Sequence, residues 1–104
     1  MSNLVHIYGN INADGTIHSS SGDFKVVNEG GGFYKVTFDD SFKTIPTAVA
    51  AQNFREWDDF RYESGSPLDN TVLVALDKSK FKVLTGGNNN RASRNFTFIA
   101  IGMR

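Results

Sequence analysis

The side chains able to do chemistry are few. His6 and His18 are the only imidazoles, and both lie in the N-terminal fifth of the chain. They could stack across a hairpin. Two imidazoles alone lack the third and fourth ligands of a zinc site. Cysteine is absent, which excludes disulfides, cysteine-based zinc sites and thiol catalysis. A nucleophilic triad needs a hydroxyl with a base beside it. Ser20 and Ser21 near His18 read as turn residues instead, and no serine sits in a Gly-x-Ser-x-Gly elbow.

The carboxylates cluster as Asp39-Asp40 and Asp58-Asp59. Neighbours on a strand point to opposite faces, so without an irregular loop neither pair converges on one cleft as glycosidase chemistry requires, and solvated turn residues is the better reading. Asp69-Asn70 lacks the repeated Asp/Asn spacing of a calcium loop. Gly30-Gly31-Gly32 opens no helix and is a turn, not a phosphate cradle. No catalytic residue, metal site or cofactor is expected. The sequon at Asn95-Phe96-Thr97 begins a strand and needs a secretory route, so it carries no weight.

The segment richest in binding groups is Phe54-Arg55-Glu56-Trp57-Asp58-Asp59-Phe60-Arg61-Tyr62. Its aromatic faces and oriented polar groups suit recognition of a sugar or a protein. An equal reading makes Phe54, Trp57 and Phe60 a small core tucked beneath their own loop. A second segment, Gly86-Gly87-Asn88-Asn89-Asn90-Arg91, is dense in amides. Those amides can bond hydroxyls, although Asn and Gly are first of all turn formers.

The elements that position these groups are strands. The chain of 104 residues fits one domain over 1–104, able to hold a core without staples. Apolar residues alternate with period two and are punctuated by Gly, Asn, Asp and Ser. Strands are expected over 4–8, 16–18, 23–28, 33–38, 47–53, 71–76, 81–84 and 96–103. Asp14-Gly15 supplies a hairpin turn. Tyr34, Val36 and Phe38 share one face, and Ala48, Ala50 and Ala51 permit close packing. The fold class is all-β, a small antiparallel sandwich of about six to eight strands.

Successive strands with short connections run antiparallel, so their connections alternate between two ends. The loops at 28–32, 54–69 and 85–94 then share one end. Those at 19–22, 39–46 and 77–80 share the other. Long loops on a rigid scaffold carry function. The candidate binding residues are therefore Trp57, Asp58, Arg61, Tyr62, Asn88, Asn89 and Arg91.

Eleven basic residues balance eleven acidic ones. That balance argues against nucleic acid and anionic membranes as partners and leaves little charge repulsion between copies. No apolar run approaches the ~20 residues of a membrane-spanning helix, and no membrane insertion is expected. The N-terminal residues lack the basic and apolar regions of a signal peptide. The compartment stays open: without a signal peptide the chain is cytoplasmic as made, with release or virion association as the routes outward.

Two stretches carry a resemblance. Asp14-Gly15-Thr16-Ile17 through Ser21-Gly22-Asp23-Phe24, followed by Gly32-Phe33-Tyr34-Lys35-Val36-Thr37-Phe38, resembles modules near the tips of phage and phage-like tail fibres. From Val36 to Met103 the layout resembles the H-type lectin domain, through Val36-Thr37-Phe38 with Phe42 and Pro46, Phe81-Lys82-Val83, and Phe98-Ile99-Ala100-Ile101-Gly102. C1q-like jelly rolls close on a similar pattern. The resemblance implies a trimeric sandwich that binds cell-surface carbohydrate or a receptor at loops or subunit boundaries. The alternative is a structural or assembly protein of a phage-like particle. H-type lectins carry a sugar-holding Trp in the segment matching 85–94, where this chain has no aromatic residue. That sugar site therefore does not carry over.

Overall fold

The computed structural model describes residues 3–61, 63, 65–87 and 90–104. Tyr62, Asn88 and Asn89 of the candidate site lie outside these residues. The described chain is all-β, without helix: β1 (Leu4–Ile11), β2 (Ile17–Ser20), β3 (Phe24–Gly30), β4 (Phe33–Phe38), β5 (Thr47–Asn53), β6 (Asn70–Leu76), β7 (Lys80–Gly87), β8 (Asn90–Arg91) and β9 (Asn95–Met103). One sheet runs β2-β1-β9-β5 and the other β3-β4-β7-β6, with β8 paired to β7. All pairings are antiparallel.

Period-two alternation decides which face enters the core. Tyr34, Val36 and Phe38 of β4 are buried, as are Ile7 and Ile11 of β1 and Phe96, Phe98 and Ala100 of β9. The centre is aromatic. Phe81 meets Phe98 at 4.8 Å between centroids, Phe98 meets Phe24 edge-on at 5.1 Å, and Phe38 meets Phe42 edge-on at 5.1 Å. Such tilted pairs add about 0.5–1.5 kcal/mol each beyond area burial.

The strands differ from expectation at their ends. β1 continues past Tyr8 because Gly9, which interrupts the apolar alternation, faces inward under two rings. A Cβ there would lie 2.7 Å from Phe24 Cζ and 2.9 Å from Phe98 Cε1. β7 runs on to Gly87, where Gly86 and Gly87 pair with Arg91 and Asn90. The segment expected as a plain loop over 85–94 thus contains the short strand β8.

The two ends of the sandwich have the expected memberships. At one end the Thr85 amide donates to the Gly32 carbonyl at 2.8 Å, and Thr85 Oγ1 donates to the Ala92 carbonyl at 2.6 Å. Gly32 has φ +88°, and a Cβ on it would meet the Thr85 oxygen at 2.6 Å, so only glycine fits that turn position. At the other end the Phe42 amide donates to the Lys78 carbonyl and the Asp39 amide to the Asp23 carbonyl. Asn3 and Arg104 exchange backbone hydrogen bonds there, and the Lys43 amide donates to the Met103 carbonyl.

Candidate functional site

The loop end is assembled around two asparagines from outside the long loops. Asn95, at the start of β9, is 9% exposed. Its Oδ1 accepts the Ala13 amide at 2.8 Å, and its Nδ2 donates to the Arg55 carbonyl at 2.8 Å and to Asn53 Oδ1 at 3.3 Å. One side chain thus ties the β1–β2 turn to the β5–β6 loop. Asn12, in that turn, accepts the indole N–H of Trp57 at 2.9 Å. The Tyr34 hydroxyl donates to the Ala13 carbonyl at 2.6 Å, fixing the same turn from the core side.

Trp57 is half-buried. Its ring also meets His18 of β2 at 5.1 Å, tilted by 46°. Trp57 lines a cleft of about 240 Å³ with Asn53, Glu56, Asp58, Asp59 and Phe60. The two readings of the aromatic loop therefore divide among its residues. Trp57 packs and is presented at once. Phe54 is half-buried, with the Arg94 guanidinium 4.9 Å from its ring centroid. Phe60 is 95% exposed and tucks under nothing.

Asp59 holds Arg61 in a two-point pair, with Nε–Oδ1 2.8 Å and Nη2–Oδ2 2.9 Å. These bonds, then the Arg61 amide, hold the Asp59 carboxyl below the usual carboxylate range. Asp58 is exposed, and both Asp59 oxygens are engaged by Arg61. The adjacent acids thus differ in role, one free to accept from a ligand and one positioning a cation.

Arg91 sits elsewhere. Its guanidinium lies 5.2 Å from the Phe33 ring centroid. It lines a separate groove of about 370 Å³ with Leu68, Val72, Leu84 and Gly86. Trp57, Asp58, Asp59 and Arg61 come together on the β5–β6 loop, while Arg91 belongs to the β6–β7–β8 face. Strand alternation placed both groups at one end but could not separate the two layers.

The histidines do not stack on each other. The β1–β2 ladder pairs Gly9 with Ser20 and Asn10 with Ser19, so it stops short of His6. His6 instead pairs in register with Ile101 of β9. Among the described residues no group of three or more His, Cys, Asp or Glu could hold a metal ion.

Asn12, His18 and Asn95 were not among the sequence candidates. Asn12 carries a turn signal shared with many ordinary turns, and only the β1–β9 pairing brings Asn95 beside it. No family model, curated protein or solved structure matches the chain.

Proposed function

We propose that this chain is a non-enzymatic recognition module that binds carbohydrate of a cell surface through its β5–β6 loop. The observation that carries this reading is the setting of Trp57. Its N–H is fixed by Asn12 and its ring meets His18, and the residue lines a cleft with Asp58, Glu56 and Asn53. A ring held by a hydrogen bond and a ring contact can stack on the apolar face of a sugar at little entropic cost. Carboxylate and amide oxygens beside it accept from hydroxyls. The resemblance to H-type lectins and tail-fibre tips agrees with this use of a small sandwich.

A glycan array tests it, with Trp57→Ala as the paired control. Binding by the folded wild-type chain that is lost in Trp57→Ala is the expected result. A folded wild-type chain that binds no glycan refutes the carbohydrate assignment.

A second reading is favoured by Phe60. A phenyl ring 95% exposed at a loop tip has the character of an anchor for a protein pocket. Under this reading the chain is an assembly protein, docking a partner of a phage-like particle through Phe60.

A further inference from the structure

The β2-β1-β9-β5 sheet contains no Asp, Glu, Lys or Arg in any of its strands. The other sheet carries Lys25, Glu29, Lys35, Lys80, Lys82 and Arg91. A solvated antiparallel face ordinarily alternates to polar and charged residues. Here the outward positions are apolar in register across three strands: Tyr8 pairs with Ile99, and Ile99 with Val49. Leu4 pairs with Met103 at the end of the same face. Val49 is 61% exposed, Leu4 58% and Tyr8 49%.

Three polar side chains of this face are satisfied by one another. Asn10 Nδ2 donates to Ser19 Oγ at 2.8 Å, and Thr97 Oγ1 donates to Asn10 Oδ1 at 2.7 Å. This chain of bonds crosses β2, β1 and β9, so covering that part of the face strands no donor or acceptor, while His6, the Tyr8 hydroxyl and Thr47 on the same face would need a partner across the contact. β5, one edge of this sheet, has neither the charges nor the proline that usually blunt an edge strand.

We infer that the outer face of this sheet is where copies of this chain associate with one another. The chemistry selects the partner. A charged surface laid on this face would lose water from ions that find no counter-ion there. This molecule carries a matching charge-free surface, the same sheet on another copy. With zero formal net charge, no long-range repulsion opposes the approach. At ~4.8 Å between strands and ~3.4 Å per residue, the sheet offers about 450 Å² of flat area, or about 900 Å² over two copies. That area is close to the ~1,000 Å² at the lower bound for a biological interface, the size of a weak, concentration-dependent association. The packing leaves the β5–β6 loop clear, because that loop lies at the end of the sandwich. The inference stands whichever ligand the loop takes.

Light scattering on a sizing column, over a dilution series, tests the face. The wild-type chain is expected to run at a multiple of the one-chain mass. Val49→Glu and Tyr8→Glu each bring one charge into the face and should shift the protein to the one-chain mass, with far-UV circular dichroism unchanged. Thr37→Glu, on the outer face of the other sheet, should leave the mass as in wild type. Two exposed sites on different strands guard against a variant that fails to fold. A wild-type chain at one-chain mass throughout overturns the inference. So does an assembly that survives both folded sheet variants, or one that Thr37→Glu alone dissociates.

Discussion

The indole N–H of Trp57 donates to Asn12 Oδ1 at 2.9 Å, joining residues 45 positions apart. This bond makes the only tryptophan of the chain a contact between the β1–β2 turn and the β5–β6 loop. The ring is therefore both a structural clasp and a presented surface.

Removing the clasp should free the ring without dismantling the sandwich. Asn12→Ala takes away the indole's acceptor and also the Asn12 Nδ2 bond to Thr16 Oγ1 at 3.0 Å. The expected loss is about 1–3 kcal/mol, from a typical net value of about 0.5–1.5 for each of the two bonds. Acrylamide quenching of tryptophan fluorescence reports Trp57 alone and should rise in the variant. Unchanged quenching would show that His18 and the loop hold the ring unaided.

Thr71 offers the opposite change. It is 7% exposed, and its hydroxyl has no hydrogen-bond partner among the described residues. Valine keeps the shape and removes the unpaired group. Thr71→Val should stabilise the fold by about 1–3 kcal/mol, the usual penalty of an unsatisfied buried polar atom. Thermal melting would show a raised Tm. A lowered Tm would contradict the assignment of an idle hydroxyl.

Acid should weaken the turn between β6 and β7 in a defined window. The Ser79 amide, the strongest cause, with the Lys80 amide and the Ser79 and Lys80 side chains, holds the Asp77 carboxyl down from 3.8 to about 2. A carboxyl lowered in the folded state contributes stability that is complete above its unfolded value and lost as pH falls through its folded one. The Tm gap between wild type and Asp77→Ala should be full above about pH 4 and shrink toward pH 2. A gap constant across that range would refute the role given to the ionised form.

Much of this architecture is legible in the residue order. Tyr34, Val36 and Phe38 alternate without interruption, and their side chains fill the core. Turn residues such as Asp14-Gly15 mark where strands reverse, and counting reversals brings 28–32, 54–69 and 85–94 to one end. Layer membership is not legible. It depends on pairings such as Leu4 with Met103, which join the two ends of the chain. For that reason Trp57 and Arg91 could be placed at one end but not in separate clefts. Gly9 misled for a related reason: its missing side chain is filled by Phe24 and Phe98, both distant in sequence.

The adjacency of Asn3 and Arg104 sets how the molecule responds to force. Strands β1 and β9 are antiparallel neighbours, and both of these residues emerge at the same end. A pull applied between them would load the Leu4–Met103 pair first and then each following pair in turn, like a zipper, at low force. Tension applied between Arg104 and the β5–β6 loop would run along the strands instead. It would shear the whole β5–β9 ladder, Thr47 with Ile101 through Asn53 with Asn95, at once. The fold is thus mechanically anisotropic, yielding at its paired ends and resisting along the line from those ends to Trp57.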